Sequence, residues 1–400
     1  MASRVLLAVA LSSFFLAASG CRVFDESFLD PPDAGLPDAG PGEDGGPDAG
    51  PPGDAGCTPR HPPERPAPFD AGVPDDQELA FALRDLVLDQ RGAAWLDIGY
   101  DLDGKCSYPP PPATDAGPGV DAGEPDAGRG AGWMIECVPP NVGSAPETDG
   151  NEGIDNSYGS NFSLLILAFV SELREQLDAE HAEGRGVVLL RLREWNGQDD
   201  DARVEVAIAS GVRTEPASSG VDGGMGDGGV DAGTAPPRWD GTDTFVPSAD
   251  DFVPGDPPRR PNIVNDNAYV AGRTLVVQLP DRSRFVWAGE GLSLTLALVD
   301  PLLTGRISDD GLRLQGVTLA GRWARLDLLD GLEGVGFCAG SENRTALEML
   351  FDTAADLRED PAAAGPGTVC NAVSTAIEMT GYGGQWGPLA APGPLPSACP

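Results

Sequence analysis

The chain has 400 residues, and Gly (54) and Pro (39) together supply 93 of them, close to the share seen in low-complexity tracts. Against 26 Lys and Arg stand 63 Asp and Glu, a net charge of −37, and Lys105 is the only lysine. Such a balance repels nucleic acid and anionic lipid head groups, and suits a solvated surface or one that takes up divalent cations.

The amino terminus reads as a leader. Arg4 is a basic n-region and residues 5–18 are an apolar stretch too short to span a bilayer. Ala18-Ser19-Gly20-Cys21 resembles the bacterial lipobox, which implies removal of residues 1–20 and acylation of Cys21. The competing reading is an ordinary secretory signal with a stray cysteine. Arg22, where Asp would retain a lipoprotein at the inner membrane, implies the outer membrane. Residues 21–74 follow as a stalk: Asp-Ala-Gly recurs at 33–35, 38–40, 48–50, 54–56 and 70–72, and over 31–56 there is almost nothing apolar to bury, so disorder is expected. The triplet returns within 109–131 and 213–240, which are expected to be loop insertions in one folded domain, 75–400.

Seven cysteines, less a lipidated Cys21, leave six for an oxidising compartment. Short local loops favour Cys106–Cys137 and Cys338–Cys370, and elimination then pairs Cys57 with Cys399. Zinc is disfavoured, since there is no CxxC pair and only two histidines.

Along the domain, Asp75 and Glu78 begin a helix over 76–90, with Leu79, Leu83, Leu86 and Val87 at helical spacing. Alternation predicts a strand over 95–102. A helix over 162–183 ends at Gly184. The period then changes to two: Val188, Leu190 and Leu192, and Val204, Val206 and Ile208, form a hairpin turned at Asn196-Gly197. Further strands are expected at 268–279, 284–288, 292–299, 305–307 and 312–319, and helices at 323–332, 341–357 and 371–379. The fold class is therefore mainly β (α+β), an antiparallel β-sandwich-like core with packed helices and disulfide staples.

Two acidic, glycine-bearing loops stand out: Gly99-Tyr100-Asp101-Leu102-Asp103-Gly104-Lys105-Cys106, and Asp149-Gly150-Asn151-Glu152-Gly153-Ile154-Asp155-Asn156-Ser157-Tyr158-Gly159. With Cys137 between them, they resemble a pattern in secreted lipoproteins of myxobacteria and their relatives. The resemblance covers most of 75–400. It implies a compartment and a domain outline, with no activity or site residue to transfer.

Read as chemistry, Asp101, Asp103, Asp149, Asn151 and Asp155 offer hard oxygen ligands for Ca2+. Each loop holds part of a calcium-loop pattern and neither holds the twelve-residue whole, so the competing reading of tight turns and caps carries more weight. Trp195 and Trp239, beside turns, are the exposed candidates for a carbohydrate platform, whereas Trp287 and Trp323 sit in core patterns. No Gly-x-Ser-x-Gly, His-Glu-x-x-His or P-loop occurs, His61 lies in the stalk, and His181 is expected at a solvated helix end. The expected role is non-catalytic: a lipid-anchored envelope domain that is structural or binds a ligand, a glycan or an envelope protein. The first alternative is a calcium-dependent carbohydrate-binding module. The second is a hydrolase using paired carboxylates such as Asp199 with Asp201, or Glu194.

Overall fold

The computed structural model describes residues 58–68, 74–107, 136–141, 144, 147–215, 236–255, 260–365, 367–391 and 395–399. The leader, Cys21, Cys57 and most of both insertions lie outside the described residues. Gly56–Pro400 forms one compact unit.

Ten strands are present among the described residues: β1 (Gln77–Arg84), β2 (Val188–Trp195), β3 (Asp201–Glu215), β4 (Thr244–Pro247), β5 (Ile263–Ala271), β6 (Thr274–Gln278), β7 (Ser283–Gly289), β8 (Leu292–Ile307), β9 (Arg313–Ala324) and β10 (Ala372–Trp386). Eight of them close into an antiparallel barrel in the order β1-β2-β3-β5-β6-β8-β9-β10, with β10 returning to β1. The outer two attach beside it: β4 bridges β3 and β10, and β7 pairs with the first half of β8. The expected sandwich is thus corrected to a closed barrel, which leaves no open sheet edge among the eight strands.

Closure depends on β1 and β10, which were both expected as helices. Their register sets Ala80 opposite Gly384 and Arg84 opposite Thr380. Phe81 and Leu83 turn inward, with Val188, Leu190 and Leu192 from β2 and Val204, Val206 and Ile208 from β3. An eight-strand barrel is just wide enough for such side chains to fill. The hairpin at Asn196-Gly197 is present as expected. The single strand expected over 268–279 is instead the β5–β6 hairpin, turned at Gly272. The two pieces expected at 292–299 and 305–307 are one strand, β8.

Four α-helices pack on the strands: α1 (Ser163–Phe169), α2 (Leu173–Ala182), α3 (Arg325–Gly331) and α4 (Glu342–Ala354). The helix expected over 162–183 is interrupted at Val170–Glu172 and preceded by a wide turn at Tyr158–Phe162. Leu173, Leu177 and His181 form the buried stripe of α2, so His181 is a core residue and not a solvated end. The strand expected over 95–102 is a single helical turn, Ala94–Asp97, running into an extended loop.

Disulfides join Cys137 to Cys370 and Cys338 to Cys399, and Cys106 is disulfide-bonded as well. The expected pairs Cys106–Cys137, Cys338–Cys370 and Cys57–Cys399 are therefore replaced. Loop length misled because the fold brings together cysteines 233 residues apart. Part of the expected stalk, residues 58–68, also bonds to the folded unit: Arg60 N–H donates to Glu152 O at 2.8 Å, and Arg65 donates to Ala202 and Asn267 carbonyls at 2.6 Å.

No helix of the described residues is long and apolar enough to cross a membrane. The outward positions of β2 and β3 carry Arg191, Arg193, Arg203 and Glu205, a polar face.

Candidate metal centre

The two acidic loops lie against each other on the outer wall of the barrel, over β8, β9 and β10. Gly99 makes this approach possible: its φ is +128°, and a Cβ there would sit 3.0 Å from the Cβ of Ala376. Tyr100 then turns its ring onto Leu302 and Ala320, and its hydroxyl meets Thr304 Oγ1 at 2.8 Å. The loops are stitched by backbone bonds, Asp155 N–H to Tyr100 O at 3.0 Å and Asp149 N–H to Ser107 O at 3.1 Å. Asn156 fastens the second loop, donating to Gln90 and to Ile98 O and accepting from Ala376 N–H.

This stitching gathers acids. One carboxylate oxygen from each of Asp101, Asp103 and Asp155 lies within 4.8 Å of the others. Beside them is a small cavity of about 20 Å³, lined by Asp103, Glu136, Glu147, Asp149, Asp155 and Asp356. That volume holds a water molecule or an ion and excludes a sugar ring.

Several of these oxygens are held from behind by N–H groups. Asp101 Oδ1 accepts from Gly104 N–H at 2.7 Å, Asp155 Oδ2 from Leu102 N–H at 2.6 Å, and Asp149 Oδ2 from Ser107 N–H at 2.5 Å. Asp356, just beyond α4, accepts from the backbone and hydroxyl of Ser374 on β10. Glu147 accepts from Asn161 at 2.9 Å. Asp101 Oδ2 is different: it is buried and has no hydrogen-bond partner, in a residue only 8% exposed.

Positive charge is scarce there. Arg322, on the outward face of β9, is committed to Glu136 at 2.9 Å and to the carbonyls of Leu102 and Arg358. Lys105 Nζ stands 4.0 Å from Asp103 Oδ2. Burial therefore dominates the acid equilibria. It pushes the Asp155 carboxyl well above its usual range, reinforced by Asp103 and Asp149. Burial raises Asp149 to about 8, Asp356 to about 7 and Asp103 to about 6, and it raises Glu147 too. Crowded carboxyls in a site of low dielectric either keep their protons or take up a cation.

The expected ligands are thus brought together in part. Asp101, Asp103, Asp149 and Asp155 converge. Asn151 does not: it is exposed and donates to Asp97 Oδ1 at 2.8 Å. Glu147 and Asp356 join the set unforeseen. Glu147 stands two residues before Asp149, a spacing that could have flagged it, whereas nothing local marks Asp356.

The carbohydrate platform is not formed as expected. Trp195 is 3% exposed, with its indole N–H on Gln198 O and Arg273 over its ring. Trp239 is half-buried between Phe245 and Tyr382, under Arg84. Trp287 and Trp323 are fully buried. Of the carboxylates considered for a hydrolase, Asp201 spends its oxygens on the Asn196 and Arg203 N–H groups.

No family model matches this chain, and neither a curated protein nor a solved structure does.

Proposed function

We propose that this is a non-catalytic domain stabilised by a bound calcium ion, carried at the cell envelope by a lipid on Cys21, as in the myxobacterial lipoproteins its loops resemble. The observation that supports the calcium reading is the convergence of Asp101, Asp103 and Asp155, together with a buried Asp101 Oδ2 that has no hydrogen-bond partner. Hard carboxylate oxygens from two loops suit calcium, which accepts 6–8 oxygens in varied geometry; magnesium demands a strict octahedron and zinc prefers nitrogen or sulfur. The anchor rests on residues 4–21 of the sequence. The disulfides fit an oxidising compartment.

Thermal unfolding of the unlipidated mature chain, with calcium and with a chelator, tests this. A hundredfold excess of calcium over its Kd adds about 2.7 kcal/mol, which raises the midpoint by about 4 °C for a unit of this size. Equal midpoints in the two conditions would show that the carboxyls are simply protonated, and the calcium reading would be lost. A shift given equally by magnesium would remove the selectivity for calcium.

A further inference from the structure

A second site lies on another part of the barrel wall. On the outward face of β2, β3 and β5, Arg191 stands opposite Ala207, and Ala207 opposite Val264. Arg191 and Val264, on either side of the buried Ala207, both line a groove in this wall. On one side stand Phe252, Arg260 and Pro261, with Phe252 and Pro261 bridged to each other, and on the other the 386–389 stretch that leaves β10. The groove holds about 440 Å³, with Phe252, Pro261, Val264, Trp386 and Leu389 supplying apolar surface. That is the size and character of a small-molecule site.

Its polar content is unusual for this chain. Among the described residues, nearly every arginine is tied to a carboxylate or a carbonyl. Four are not: the guanidinium groups of Arg191, Arg238, Arg260 and Arg284 make no hydrogen bond or ion pair. Two of the four, Arg191 and Arg260, line this groove. Arg193 is there too, but Glu205 occupies it. Arg191 is held in place by stacking on Trp386, 4.8 Å from the ring centroid, and its Nε is buried without an acceptor. Burial and the neighbouring Arg193 both lower its pKa, the mark of a cation lacking its anion.

We propose that this groove binds a small organic monocarboxylate, with the carboxylate on Arg191 and Arg260 and the apolar body against Phe252, Val264 and Leu389. A guanidinium held over an aromatic ring presents its planar fork to a carboxylate with less freedom to lose. The net charge of −37 disfavours multiply charged ligands, so a single negative charge fits best.

The test is calorimetric titration of the whole mature chain, with calcium present, using benzoate and its neutral isostere benzamide. Benzoate is expected to bind at one site and benzamide at least tenfold more weakly, since charge-assisted bonds are lost. Arg191→Gln and Arg260→Gln should each weaken benzoate about tenfold or more. Arg260 is exposed, so its variant keeps the test clear if the half-buried Arg191 variant folds poorly. Equal binding of benzoate and benzamide, or benzoate affinity unchanged in Arg260→Gln, would overturn the proposal, as would absence of benzoate binding.

Discussion

The inside of the barrel and the acidic pocket on its outer wall are held by opposite means. The interior is apolar, aliphatic and aromatic, filled from all eight strands, and its packing does not depend on charge. The pocket packs Asp101, Asp103, Glu147, Asp149, Asp155 and Asp356 together with one nearby lysine, so its own groups repel once ionised. One region stabilises the other: the hydrophobic wall holds β10 and β9 rigid, and Ser374, Ala376 and Arg322 on those strands clamp loops that would otherwise spread apart. The lesson is that a strongly packed scaffold lets a locally unfavourable site exist.

Substitutions can separate the two regions. Phe81→Ala should cost most, about 3–5 kcal/mol, and by the same amount with calcium or chelator, because it empties space in the interior. Denaturant titration in both conditions reads this. Asp155→Asn should remove the calcium-induced gain of about 2.7 kcal/mol, yet leave the chelated protein as stable as the parent or more so, since a neutral amide replaces a buried carboxyl that must hold a proton when no cation is bound. A variant that keeps the full calcium shift would dissolve the distinction between scaffold and pocket.

Acidity sharpens it further. In chelator, the Asp149 and Asp356 carboxyls, at about 8 and 7 against an ordinary 3.8, bind more protons folded than unfolded. Their contribution is full below about pH 4 and is lost as pH rises towards 8. Bound calcium, which holds the ionised forms, should flatten that slope. His181 has the opposite sign: buried on α2 and pushed down to about 4 from 6.5, it contributes stability above pH 6.5 that is lost as pH falls towards 4. His181→Gln should abolish this acid limb, on the order of 1–3 kcal/mol, while leaving the calcium-dependent limb intact. Smallest is Ser341→Ala, which removes the cap that accepts from Arg344 N–H at the start of α4, worth about 1 kcal/mol in either condition.

Legibility in the sequence followed the same division. β2 and β3 were readable because part of their outward face is polar, so Leu190 and Leu192 alternate with Arg191 and Arg193, and Val204 and Val206 with Arg203 and Glu205. β1 and β10 were not, because both of their faces are covered. Ala80 and Ala82 pack outward against Val187, Leu189 and Phe245, and Ala376 lies under the acidic loops. A strand buried on two sides loses its alternation and reads as a helix. With those two strands misread, the sheet had no means of closing, and a sandwich was the natural expectation. At the site, the aspartates within each loop were visible as local patterns of Asp and Gly. Asp356 and the Arg322–Glu136 pair were invisible, because the residues meet only through the barrel.

The pairing of β1 with β10 also has a kinetic side. Ala80 faces Gly384, so the last partner of an early strand is about three hundred positions downstream. A chain made from its amino end must carry β1 with one edge unmatched until β10 has been synthesised. Such distant pairing makes for slow assembly and a long exposure to mispairing. The acidic loops wait as well, since Asp356 and Ser374 arrive late. A cation that recognises only the completed pocket would then act at the end of maturation, marking the chains in which the final strand has docked.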